Sequence, residues 1–273
     1  MTSGEGSGGV TWTDRVWRSS DGLQARIYLP PAEARAARNG AVMVDVHGGA
    51  WASRNRTLGE VYNTAVAEAG FVVVAVDFRD GRNARHPAAV DDIAEAVGWV
   101  RTAGGLDIDP ARLALCGSSS GGHLALHTAL TEVEVAFVGA FWPPVDPLVR
   151  YQYAQKMIGQ PVPEGNRLDA PNLVASTEAY YGDEATMADA SISAILRSGR
   201  ARHLPPVWLV NASEDLNVPR VMIEELVAAY AAVGGSLELT EYEGEIHGFG
   251  HGTHPGARQF QADLVAHLST ALA

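Results

Sequence analysis

Gly117-Ser118-Ser119-Ser120-Gly121 follows the apolar run Leu113-Ala114-Leu115-Cys116 and precedes a helix-like segment over residues 122–130. A G-x-S-x-G between a strand and a helix reads as a nucleophile elbow, a turn too tight for side chains at its flanks. Glycine suits those flanks because it has no Cβ and tolerates strained dihedrals. The pattern predicts Ser119 at the tip of a sheet, its hydroxyl exposed and a helix N-terminus beneath it. A pentapeptide this simple occurs by chance, so the segments on either side must agree with it.

On the N-terminal side, residues 10–17 and 23–29 partly alternate and are separated by Ser19-Ser20-Asp21-Gly22, which predicts an antiparallel hairpin at a sheet edge. Residues 41–46 (AVMVDV) are almost continuously apolar, as expected of a strand covered on both faces, and run into His47-Gly48-Gly49-Ala50-Trp51. A helix over 58–69 closes at Gly70, and FVVVAV at 71–76 predicts a central strand. Pro87 suits a first helical turn, Val90, Ile93, Ala94, Val97 and Val100 follow at helical spacing, and Gly104-Gly105 is the expected end.

On the C-terminal side, residues 135–141 read as another buried strand. About sixty residues, 144–204, then lack the alternation. A structureless loop that long is improbable in a compact domain, so a mostly helical lid covering the site is expected there. Strands at 207–210 and 237–242 and helices at 219–233 and 255–272 complete the chain. Strands alternating with helices define an α/β protein with a mostly parallel twisted sheet, helices on both faces and an inserted helical lid. Ligand sites in such sheets form at the carboxyl ends of the strands.

The 273 residues, 47% hydrophobic, can form one large domain, expected over 10–273, with the Gly/Ser-rich residues 1–9 as a flexible tail. The balance of 32 acidic against 20 basic residues, net −12, disfavours nucleic acid and anionic membrane surfaces as partners. Cys116 is the only cysteine, which excludes an intrachain disulfide, and its place at the end of an apolar strand argues against a reactive thiol. No window approaches the roughly 18 apolar residues that span a bilayer, and the start lacks a signal-peptide pattern. The expectation is a soluble, cytoplasmic protein without membrane insertion.

Serine is a weak nucleophile at neutral pH, so Ser119 needs a base to take its proton and an acid to orient that base. Asp215 lies just past the 207–210 strand and His247 just past the 237–242 strand, both at the rim where the elbow belongs. Glu214 is the rival acid, one residue nearer its strand. His203 precedes its strand and points to the wrong end. His251 and His254 could join His247 in a loose metal-like cluster, but no thiolate accompanies them. His123 and His127 share a helix face without the glutamate of H-E-x-x-H and read as packing residues. An oxyanion needs preorganised donors. The amide of Ser120 and those of Gly48 and Gly49, where bare backbone can approach closely, are the candidates.

These residues resemble the α/β-hydrolases of the hormone-sensitive lipase type and the related small carboxylesterases and arylformamidases. The resemblance rests on His47 to Trp51, on Val76-Asp77-Phe78-Arg79 with His86-Pro87-Ala88-Ala89-Val90-Asp91-Asp92, on Gly117 to His123, on Asp215-Leu216-Asn217-Val218-Pro219 and on His247-Gly248-Phe249. It implies an α/β-hydrolase fold and hydrolysis of a carboxylic ester through an acyl-enzyme, with no cofactor or metal. Ala50 replaces the third glycine of HGGG, which resembles arylformamidases and feruloyl-esterase-like proteins as much as lipases. The N-terminal region is short for the large helical cap of many relatives, which again assigns the lid to 144–204. The resemblance also allows two copies to pair through an edge strand as a homodimer.

The reading is a serine esterase acting on a small or short-acyl ester. Ser119 attacks, His247 shuttles the proton, Asp215 holds the imidazole, and Gly48, Gly49 and Ser120 stabilise the oxyanion. Trp51, Phe141, Trp142, Tyr180 and Tyr181 are candidates for an apolar substrate pocket. The same triad would serve an arylformamidase, amidase or lactonase, and a hydrolase fold can also serve as a non-catalytic small-molecule receptor.

Overall fold

The computed structural model describes residues 2–102 and 106–273. In chain order the elements are β1 (Ser3–Glu5), β2 (Thr11–Arg18), β3 (Leu23–Leu29), α1 (Ala32–Ala36), β4 (Val42–Val46), α2 (Glu60–Glu68), β5 (Val72–Val76), α3 (Ala88–Thr102), β6 (Leu113–Ser118) and α4 (Ser120–Thr131). There follow β7 (Phe137–Phe141), α5 (Pro147–Met157), α6 (Ala170–Tyr181), α7 (Glu184–Asp189), α8 (Ile192–Arg197), β8 (Val207–Ala212), α9 (Arg220–Ala232), β9 (Leu237–Tyr242) and α10 (Pro255–Ala271). The strands form one sheet in the order β1-β2-β3-β5-β4-β6-β7-β8-β9. The β1-β2-β3-β5 pairings are antiparallel and all pairings from β5 through β9 are parallel.

β4 and β5 read VMVDV and VVVAV, and every residue in both is buried. Their period-2 alternation divides the core. Val42, Val44, Val46, Val72, Val74 and Val76 pack with α3, α4 and α9, while Met43, Val73 and Ala75 pack with α2 and α10. The chain steps from β4 outward to β5, then returns to β6 on the other side of β4. This reversal is a topological switch point, where diverging connections leave a crevice at the carboxyl ends of the strands. Val46 pairs with Gly117, so the segments following β4 and β6 leave the sheet side by side.

Gly121 makes that closeness possible. A Cβ there would come 2.0 Å from the Val46 carbonyl oxygen and 2.5 Å from that of His47, both backbone atoms with no room to yield. Gly121→Ala is therefore expected to cost at least the upper end of the ~1–3 kcal/mol typical of overpacking. Urea unfolding measures it, and an unchanged midpoint would contradict the packing described.

The N-terminal segment departs from the expected flexible tail. Ser3, Gly4 and Glu5 pair with Thr13, Trp12 and Thr11, and Thr2 Oγ donates to Asp14 at 2.7 Å. β2 would otherwise leave an unpaired edge, and a row of free backbone groups recruits a strand whatever its side chains. Gly104-Gly105, expected to end α3, lie outside the described residues. Over 144–204 the chain forms the four helices α5 to α8. Among the described residues no helix is long and apolar enough to cross a membrane.

Candidate active site

Ser119 leaves β6 at φ 52° and ψ −126°, a conformation costing a non-glycine residue ~1–3 kcal/mol. The surroundings hold it there. Its N–H donates to the Phe141 carbonyl at 2.8 Å, and its own carbonyl accepts from the Gly122 and His123 amides at 2.9 and 3.2 Å.

Two hydrogen bonds join the three residues expected from sequence. Ser119 Oγ lies 2.9 Å from His247 Nε2, and His247 Nδ1 lies 2.7 Å from Asp215 Oδ2. The Asp215 side chain is fully buried. Its second oxygen accepts the amides of Asn217 and Val218 at 2.7 and 3.1 Å. An ionised carboxylate only accepts, so Nδ1 carries the imidazole proton and Nε2 is left to accept from the Ser119 hydroxyl. Glu214 is exposed; its amide donates to the Glu245 carbonyl and its carbonyl accepts from Asn166. Of the two adjacent acids, only Asp215 bonds the imidazole.

The loop after β4 is strained and braced. Gly49, Ala50 and Trp51 have φ of 126°, 53° and 60°. At Gly49 a Cβ would meet the Ser53 carbonyl oxygen at 2.1 Å, which reserves the position for glycine. The Gly49 carbonyl accepts from Ser53 Oγ at 2.8 Å and the Ala52 amide at 3.1 Å. His47 Nδ1–H donates to the Gly48 carbonyl at 2.7 Å, and its ring stacks 4.3 Å from Phe78. Burial lowers the His47 pKa and keeps the ring neutral. In a trans peptide the C=O and N–H point oppositely, so anchoring the Gly48 carbonyl turns the Gly49 amide the other way. Among the described residues, the Gly48 and Gly49 amides have no backbone acceptor. The Ser120 amide opens α4 and belongs to the donors that a helix leaves unpaired at its start.

Gly48, Gly49, Ser119 and His247 line one cleft of about 300 Å³. Of the aromatic side chains expected to shape a pocket, Trp142 reaches it. Trp51, Phe141, Tyr180 and Tyr181 do not, and this corrects the expectation. Trp51 packs edge-on to Tyr181 at 5.2 Å, Phe141 to Phe260 at 4.9 Å, and Tyr180 to Tyr181 at 4.9 Å. All four are core residues, because burying an aromatic ring against the sheet gains more than leaving it at a wet rim. The cleft wall is more polar than expected. α5, α6 and the segment between them contribute Arg150, Arg167, Asp169 and Asn172, with Leu173 as an apolar contact. Sequence reasoning missed these, and the one signal available was Arg150 on α5 with Tyr153 and Ala154, rather than acids, three and four residues on.

A family model described as the alpha/beta hydrolase fold matches residues 43–251. Carboxylesterase NlhH of Mycobacterium tuberculosis is 30% identical over 238 residues, 83% of this chain and 71% of that protein. The non-reducing polyketide synthase pkbA of Emericella nidulans is 29% identical over 177 residues, 58% of this chain but only 7% of the synthase. An esterase of Pyrobaculum calidifontis superposes with a TM-score of 0.76 at 23% identity, covering 97% of this chain and 86% of its own. With the family pattern covering three quarters of its length, the chain belongs to the α/β-hydrolase fold family.

Proposed function

We propose that this protein hydrolyses a small carboxylic ester through an acyl-enzyme on Ser119. The observation that carries the reading is the unbroken relay from the Ser119 hydroxyl through His247 to Asp215, 2.9 and 2.7 Å long. As Oγ bonds the acyl carbon, His247 Nε2 takes its proton, and the carbonyl oxygen becomes an anion within reach of the Gly48, Gly49 and Ser120 amides. His247 then returns the proton to the departing alkoxide, releasing the alcohol. Water repeats the sequence on the acyl-enzyme and frees the carboxylic acid. Asp215 stays ionised throughout and holds the imidazole in the productive tautomer.

The choice of an ester bond rests on the esterase names of the relatives and structural neighbours. A small substrate follows from a cleft of about 300 Å³, the low end of the range for ligand pockets. Residues 144–204 act as the lid, since α5, α6 and their connection supply one wall of that cleft.

A fluorophosphonate probe tests the relay directly. Its adduct is expected on the peptide containing Ser119, with labelling slowed on the order of 10³-fold or more in His247→Ala, because the hydroxyl loses its base. Labelling of another serine, or none, would remove the proposed nucleophile.

A further inference from the structure

Arg150 is an anomaly in this fold. Its side chain lines the cleft that holds Ser119 and His247, yet the residue is only 2% exposed. Among the described residues it makes no ion pair, its Nε has no hydrogen-bond partner, and its Nη1 reaches only Thr177 Oγ1 at 3.4 Å. Its remaining contact is a cation–π approach, 5.1 Å from the Trp51 ring centroid. Asp215 favours its charge from a distance, but both Asp215 oxygens are committed to His247, Asn217 and Val218. Burial pulls the Arg150 pKa down to about 10, so the guanidinium stays charged at neutral pH.

A charge taken out of water without a counter-ion is strongly unfavourable, and folds keep one where a partner arrives later. The rest of the cleft supports an arriving anion. Arg54 and Arg167 line it and form no ion pair among the described residues. Among the described residues the one carboxylate at its rim, Asp169, caps α6 through the Asn172 amide at 3.1 Å. Positive charge gathers here although the whole chain carries −12. A single buried guanidinium fork matches a planar carboxylate bidentately.

We propose that the cleft selects esters bearing a free carboxylate near the scissile bond, with Arg150 binding that carboxylate. The proposal rests on the ester-hydrolase reading above and adds a substrate class to it. The carboxylate can belong to the acyl part, as in a dicarboxylic acid monoester, or to the alcohol part.

Two substrate pairs separate these sources: mono-p-nitrophenyl glutarate against p-nitrophenyl valerate, and 4-acetoxybenzoate against its methyl ester. The wild-type enzyme is expected to favour at least one anionic member in kcat/KM by about 10-fold or more. Arg150→Met should lower that anionic-to-neutral ratio on the order of 10- to 100-fold, with Arg150→Lys keeping part of it. No anionic preference in either pair, or a ratio unchanged in Arg150→Met, overturns the proposal. Failure to cleave any of the four esters would instead strike the ester-hydrolase reading. If Arg150→Met does not fold, competitive inhibition of the wild type decides: glutarate should inhibit about 10-fold more strongly than glutaramide, and equal inhibition overturns the proposal.

Discussion

Ser119→Ala is expected to reduce kcat/KM for p-nitrophenyl acetate by a factor on the order of 10⁴ to 10⁶, leaving the urea midpoint nearly unchanged. The loss is large because the hydroxyl is both the attacking atom and the donor that fills His247 Nε2 at 2.9 Å. Alanine keeps the backbone bonds from Ser119 to Phe141, Gly122 and His123, so the elbow loses no tertiary contact beyond one hydrogen bond. Asp215→Asn should approach the same loss, on the order of 10⁴, since an amide can donate to Nδ1 and stabilise the wrong tautomer. The two losses should not add, because each member is useless without the others. A Ser119→Ala enzyme retaining a tenth of the activity would end the nucleophile assignment. So would a double variant far worse than either single one.

That relay was legible in the sequence because it sits on strongly patterned segments. Strands such as VMVDV and VVVAV, buried on both faces, announce a parallel sheet, and a serine, an acid and a histidine just beyond three strand ends can only meet at one rim. The strand order was not legible, since nothing in β4 itself tells that β5 and β6 flank it. The sequence favours Asp215 over Glu214, and the chain direction after β8 is what turns its carboxylate rather than that of Glu214 onto the imidazole. Core and pocket aromatics have the same composition, so Trp51, Phe141, Tyr180 and Tyr181 passed as pocket candidates although the fold buries them. Arg150 was missed for the opposite reason: an arginine on a helix ordinarily extends into solvent. The strand at Ser3–Glu5 has no apolar alternation, and its pairing depends on the edge offered by β2.

Acidification should unfold this protein well before its surface carboxylates are protonated, because five of its nine histidines are held neutral by burial. Desolvation pulls His86 and His251 down to about 4 and His123 to about 3. His47 is lowered, and His127 well below its ordinary value. His86, His123 and His127 form one cluster, His86 stacked 5.3 Å from His127 and His123 6.0 Å from it, so a first proton there opposes a second. Among the described residues Nδ1 of all three has no partner, and the Ala190 carbonyl, 2.8 Å from His123 Nε2, only partly offsets the cost of charging that ring.

The sign of the effect follows from these directions. In the unfolded chain each histidine binds a proton near 6.5, whereas in the fold it does not until pH falls to its depressed value. The unfolded state therefore binds more protons below pH 6.5, and stability is lost from there toward pH 4, at up to ~1.4 kcal/mol per pH unit per histidine. Asp45 opposes the trend. Buried, and bonded only to Tyr62 and Asn63, it is pushed up to about 6, so the fold gains stability from it as pH falls from about 6 to its unfolded value. One carboxyl cannot offset five imidazoles, and the net loss between pH 6.5 and 5 should amount to several kcal/mol, on the order of half the total stability of a typical domain. Urea midpoints at pH 7.5, 6.5, 5.5 and 5.0 measure it. They should be level above pH 7 and fall steeply below 6.5, with His127→Gln reducing the slope by about one proton's worth. A midpoint that holds or rises to pH 5 would mean that these imidazoles are already charged in the fold, and that the cluster behind α4 is hydrated rather than dry.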